Sequence, residues 1–323
     1  EYTHSWNGKY RRPADLWTPN FNVPMQDSLL WVYEGQTQYW GNVLAARSGL
    51  RPMQAARDAL ALVFATYTDN RPGLSWRNVQ DTTNDPIIAN RAVKAFPNYQ
   101  LSEDYYRAGQ LIWFEVDTLI RSRSAGRKSL DDFARAFFGI RDGEWKVQRT
   151  YTFADVVATL NGVVAADWGR FLRERLDGKV PITGGLEASG WRLVYRDEPN
   201  AYAKAQAKGK RPSTPDYLYS LGFTVAKDGK IAEVRWDSPA FNAGLALGTQ
   251  IAAVNDIEFS TDVLDDALKA AATDKTQPIR LLVRDLARYR VVSLDYHAGA
   301  RFPHLERIEG VPDLLTAIFT PRP

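Results

Sequence analysis

The spacing of apolar residues changes once along this chain, near Gly178, and a single layer of one element type cannot accommodate both patterns. Before that point the recurrence is helical. Leu29, Leu30, Val32, Tyr33, Tyr39, Trp40, Val43 and Leu44 predict a helix over 28–48, stopped by Gly49. Further helices are predicted over 53–66, 102–123, 129–138, 152–160 and 167–176, with a loop rich in Asp, Asn, Pro and Thr over 68–86. Ser102 and Ser129 are cap residues, Glu103 and Asp104 suit a first turn, and Gly139 and Gly178 are stops. After Gly178 come short strand-like runs over 191–195, 221–225, 231–236, 250–254, 279–284 and 289–296. One helix, 262–272, interrupts them, and an Ala/Lys/Gly linker is expected over 200–214.

Composition excludes several classes. The 323 residues exceed one typical core, and 45% hydrophobic with 24% charged residues is ordinary globular usage. A formal charge of +3 is too weak for a nucleic-acid partner, which calls for one strongly basic face. Two local basic runs, Arg121, Arg123, Arg127 and Lys128, then Lys204, Lys208, Lys210 and Arg211, read as solvated surface. With no cysteine there is no disulfide, thiolate nucleophile or cysteine zinc site. No apolar run reaches the roughly 18 residues of a membrane span. Glu1-Tyr2-Thr3-His4 does not read as a natural start, so any targeting segment is expected upstream.

Those four residues are also the last four of the pattern His-Glu-x-x-His. Two histidines four apart share one helix face and can hold one zinc, and the glutamate between them serves as general base. The first histidine would precede residue 1. Trp31-Val32-Tyr33-Glu34-Gly35-Gln36-Thr37 resembles the Trp-x-x-Glu-Gly segment of gluzincin peptidases, which implies Glu34 as the third zinc ligand. Asp104-Tyr105-Tyr106-Arg107-Ala108-Gly109 resembles the Tyr-x-Lys-Gly motif of the same clan, with Ala108 where the lysine stands. That resemblance implies Tyr106 as donor to the oxyanion. The string from His4 through Trp6, Asn7 and Lys9 to Arg12 and Pro13 is similar to the glycyl aminopeptidase family, whose long gap between histidine and glutamate it also shares.

The family resemblance implies a Zn²⁺ peptidase that removes N-terminal glycine or alanine from peptides. In this reading Glu1 is the base, His4 and Glu34 hold the metal with an upstream histidine, and Tyr106 stabilises the oxyanion. An upstream part of the same polypeptide is then a partner, and the chain alone is expected to be inactive.

Ser220-Leu221-Gly222-Phe223 resembles the Gly-Leu-Gly-Phe loop of PDZ domains, and residues 238–245 and 251–255 resemble the bacterial form of that domain. This implies a nest of N–H groups at Leu221, Gly222 and Phe223 for the carboxylate of a C-terminal peptide. Gly184-Gly185-Leu186-Glu187 is similar to the amine-holding segment of related aminopeptidases, but it follows the zinc motif, so a turn and helix start is expected there. His297 and His304 offer no replacement for the missing ligand.

The expected architecture is multidomain. Residues 1–178 form the mainly α-helical C-terminal half of a thermolysin-like catalytic domain and 179–213 a strand and linker. Residues 214–296 form a small β-rich PDZ domain and 297–323 a C-terminal tail. The alternatives are a zinc endopeptidase on the same scaffold and a non-catalytic PDZ peptide-binding protein.

Overall fold

The computed structural model describes residues 1–89, 92–141, 143–144, 149–208 and 216–321. Lys210, Arg211 and Thr214 of the expected linker lie outside the described residues. The first half is helical: α1 (Leu30–Tyr33), α2 (Gly35–Arg47), α3 (Met53–Asp69), α4 (Tyr105–Arg123), α5 (Leu130–Phe138), α6 (Phe153–Val163) and α7 (Trp168–Leu176). Local chemistry sets several starts. Ser129 with Asp132 and Thr152 with Asp155 form capping boxes on α5 and α6, satisfying N–H groups that the first turn leaves without partners.

The predicted 28–48 helix is broken at Glu34, between α1 and α2. The cause lies in a distant residue. Asn7, fully buried, donates from Nδ2 to the Val32 carbonyl at 2.9 Å and to that of Tyr33 at 3.3 Å, at the C-terminal end of α1. Immediately after the break, α2 crosses α4 at two glycines. A Cβ on Gly35 would stand 2.7 Å from Gly109 Cα, so the two backbones touch. Trp31 stacks on Trp113 and accepts its indole N–H at the Trp31 carbonyl, 3.0 Å away, which locks α1 onto α4. Asp117, also fully buried, takes Tyr39 Oη at 2.6 Å, Arg121 Nε at 3.1 Å and the Leu130 N–H at 2.7 Å. One carboxylate thereby joins α2, α4 and α5.

Strands β1 (Arg11–Pro13) and β2 (Arg149–Tyr151) pair in parallel beside this bundle. Beyond it lie β3 (Trp191–Arg196) and a short helix α8 (Ala201–Ala207), which stands where linker is expected. Asn200 caps α8 and also donates to the Asp58 and Pro303 carbonyls, both at 3.1 Å, so the segment is anchored on α3. The second unit contains β4 (Phe223–Val225) paired with β5 (Ile231–Val234). It also contains a four-stranded sheet of β6 (Gln250–Val254), β7 (Ile257–Glu258), β8 (Ile279–Asp285) and β9 (Arg288–Leu294), in the order β7-β6-β8-β9. Helix α9 (Thr261–Thr273) closes the core with Leu264, Ala267, Leu268 and Ala271.

Where a tail is expected, the chain returns to the first unit. Strand β10 (Phe302–Arg307) pairs antiparallel with β3, and α10 (Leu314–Phe319) inserts Leu315, Ile318 and Phe319 into the helical core. Spacing of i, i+3 and i+4 gives even this two-turn helix an apolar face worth burying.

The two units are packed together. Buried Asn98 donates to the Val234 carbonyl at 3.1 Å and accepts from the Trp236 N–H at 3.2 Å, and Tyr99 stacks on Trp236 at 4.1 Å. On the other side Leu218 and Tyr219 pack against Ala65 of α3 and against Leu193 and Tyr195 of β3.

Candidate active site

Residues Tyr2–Ser5 wind as a 3₁₀ turn, and His4 leaves it toward the end of α1. Its ring lies against Tyr33 at 4.8 Å between centroids. His4 Nδ1 bonds the Asn7 carbonyl at 2.9 Å, and Nε2 stands 3.3 Å from Glu34 Oε2. Both partners are acceptors, an arrangement that favours the protonated ring. The Glu34 contact raises the His4 pKa first; partial burial opposes it and the Asn7 carbonyl reinforces it.

Asn7 is thus bound on three sides. Its own carbonyl orients His4, its amide holds the carbonyls preceding Glu34, and its Oδ1 accepts from Tyr151 Oη at 2.8 Å. Gly8 follows because a Cβ there would meet the Tyr33 ring at 3.0 Å with φ at +144°.

The donor set suits zinc. Two ligands at about 2.1 Å from one tetrahedral zinc stand about 3.4 Å apart, and the His4–Glu34 separation of 3.3 Å matches this. Nδ1 bonded to a carbonyl, with Nε2 turned to the site, is the usual orientation of a ligating histidine. Among the described residues no group of three His, Cys, Asp or Glu is arranged to hold a metal ion.

The other expected residues surround the pair less closely. Glu1 is exposed, with its main-chain oxygen accepting from His4 N at 3.1 Å. Tyr106 lies half-buried on the first turn of α4, stacked on Tyr105 at 4.8 Å. Burial holds the Tyr105 phenol well above its ordinary pKa, with the charges of Glu103, Glu34 and Asp27 adding to the shift. Asn7 and Tyr33 lie inside the motif strings with no role read for them there, and Tyr151 lies outside every motif; the contacts that bring all three to the site are not visible in a single sequence.

The loop at Leu221, Gly222 and Phe223 is arranged differently from the expected open nest. All three residues are buried. The N–H groups of Ser220 and Gly222 donate to the chain's own Tyr217 carbonyl, at 3.1 and 2.8 Å, and Tyr217 N donates to Phe223 O at 3.0 Å. Asp216 bridges Thr224 on the edge of β4 that β5 leaves open. Tyr217 Oη then donates to Asp265 Oδ1 on α9 at 2.8 Å. Gly222 is required by packing, since a Cβ would stand 2.1 Å from the Ser238 side chain. An incoming carboxylate would have to displace Tyr217. A fluorescent peptide with an apolar C-terminal residue is therefore expected to leave anisotropy unchanged, and micromolar binding would contradict this arrangement.

Gly184 and Gly185 face Glu115, which pairs with Arg175, and they open the helical turn expected before β3. His297 bonds Ala271 O and Asp295, and His304 bonds Glu198 O. No helix among the described residues is long and apolar enough to cross a membrane.

The site is thus a His–Glu pair at the junction of α1 and α2 in the helical unit. The M61 glycyl aminopeptidase family model matches residues 1–112, which supports a peptidase. The crystal structure of an aminopeptidase N family protein from Idiomarina loihiensis superposes with a TM-score of 0.72 at 20% identity. The match covers 99% of this chain and 54% of that one, so the chain spans about half that protein's length. No curated protein matches.

Proposed function

We propose that this chain carries part of the active site of a zinc aminopeptidase acting on peptides with N-terminal glycine or alanine. The observation that carries the reading is the His4–Glu34 pair at ligand spacing, oriented by Asn7, inside the segment that matches the glycyl aminopeptidase family. His4 and Glu34 would hold the metal, which when bound supplies Lewis acidity toward the scissile carbonyl. Glu1, three residues before His4, is the base proposed to take a proton from the attacking water. The Tyr106 hydroxyl is the donor proposed for the developing oxyanion, a role worth about 10²- to 10³-fold in rate when one such donor is removed. Peptidases of this family are generally zinc-dependent, which agrees with the donor set.

Zinc content of the purified protein tests the reading. About one zinc per chain, lost in His4→Ala and in Glu34→Ala, is expected wherever the remaining ligand is present. Zinc unaffected by both substitutions would place the metal elsewhere. Because the Glu34 contact favours the protonated ring, zinc uptake at pH below the raised His4 pKa should release a proton from His4. Affinity should then fall as pH drops toward the raised His4 pKa and below it, because the protonated ring cannot bind metal. Zinc titrations between pH 5 and 8, with proton release followed by an indicator dye, check the sign.

A further inference from the structure

The turn that carries His4 has a second face. His4 leaves it toward α1, whereas Thr3 and Ser5, with Trp6 just after them, border a cavity of about 610 Å³. Small-molecule sites commonly measure about 300–1,000 Å³. Two helices supply the opposite walls. Trp40 and Leu44, four residues apart, present one face of α2. Asp131, Ala134, Arg135 and Phe138, at i, i+3, i+4 and i+7, present one face of α5. Leu130, Phe133 and Phe137 of the same helix are fully buried in the core, so the cavity wall is a further apolar surface and not the core-facing side of α5. At the opening Trp6, 41% exposed, meets Tyr2 edge-on at 5.0 Å and forms an aromatic lip.

The charges around the cavity select the ligand. Asp131 is held by both terminal nitrogens of Arg47, at 2.6 and 3.1 Å. Glu144 is held by Arg149 at 2.7 Å. Arg135 is placed differently. Its nearest carboxylate, Asp132, is 4.0 Å away, and its side chain is 70% exposed. Asp132 Oδ2 is meanwhile engaged by the Ser129 N–H of the capping box. Among the described residues the two acids of the lining are therefore neutralised, and one loosely held positive charge remains beside apolar walls. A guanidinium presents paired donors that match a carboxylate.

We infer that this cavity binds a small carboxylic acid with an apolar body, its carboxylate on Arg135 and its body between Trp40, Leu44 and Phe138. The site is separate from the His4–Glu34 pair and does not depend on the peptidase reading. It borders the same turn, so a bound molecule alters the surroundings of the His4 ring.

Octanoate and octanol are the probes, titrated into the full chain and followed by calorimetry and by the NMR ring signals of the three histidines. Octanoate is expected to bind and octanol to bind about fivefold more weakly, the upper end for one exposed ion pair. The His4 signals should move while those of His297 and His304 stay in place. Arg135→Gln alters an exposed side chain and should melt with the native protein. It should lose about fivefold in octanoate affinity and leave octanol binding unchanged. Ala134→Trp should fill the cavity and remove the binding of both probes. Equal binding of the two probes, or octanoate affinity unchanged in Arg135→Gln, would overturn the inference. So would the absence of octanoate binding, or shifts at His297 or His304 with none at His4.

Discussion

Replacement of Asp117 by alanine is expected to cost the helical unit about 3–5 kcal/mol, the range for breaking a buried ion pair from one side. The size follows from what is left behind. Arg121, whose side chain is 4% exposed, keeps its charge and loses its closest carboxylate. Tyr39 Oη and the Leu130 N–H lose their acceptor in the same step. Asp117→Asn retains an oxygen for those two donors and should cost clearly less. Urea unfolding of both variants measures the difference. A loss below about 1 kcal/mol for the alanine variant would mean that Arg121 finds a new partner without cost.

The second large effect is expected at Gly109. An added methyl would stand 2.8 Å from Gly35 Cα and 3.0 Å from the Trp31 carbonyl, both of them backbone atoms that no rotamer change can relieve. Overpacking of this kind typically costs about 1–3 kcal/mol, set against about 1 kcal/mol of helix propensity gained. Because Gly35 adjoins Glu34, the forced separation of α2 from α4 should also open the His4–Glu34 contact. Gly109→Ala is therefore expected to lower the unfolding midpoint and to weaken zinc uptake about tenfold, the low end for disturbed support of metal ligands. Gly41→Ala is the control. It lies on α2 with no atom within 4 Å of the added Cβ and should stabilise by up to about 1 kcal/mol. If Gly109→Ala behaved like the control, the close crossing would have no part in holding the site.

Much of the first unit was legible from local chemistry. Ser129 caps its helix as predicted, because a cap depends only on the next three residues, whereas the cap expected at Ser102 is not formed, the helix starting at Tyr105 after Asp104. The break at Glu34 was not legible, because it involves Asn7 acting across 25 positions. His4 and Glu34 stand out as a motif and are found together, whereas their supports, Asn7, Tyr33 and Tyr151, become visible only as burial and contact. The same limit applies to the loop at Gly222. A glycine was required there, but the Tyr217 carbonyl facing the loop N–H groups is a tertiary fact.

The return of the chain at β10 has a consequence for synthesis. Leaving the helical unit at β3 and re-entering at β10 makes the β-rich unit an insertion, with more than a hundred residues between the two paired strands. A ribosome adding about 5–20 residues per second takes several seconds to cross that interval. Throughout it, the nascent helical unit holds β3 without its strand partner and a core lacking Leu315, Ile318 and Phe319. The segment bearing His4 and Glu34 is synthesised well before β10 and the last helix, so the helical core that carries it is completed only when they emerge.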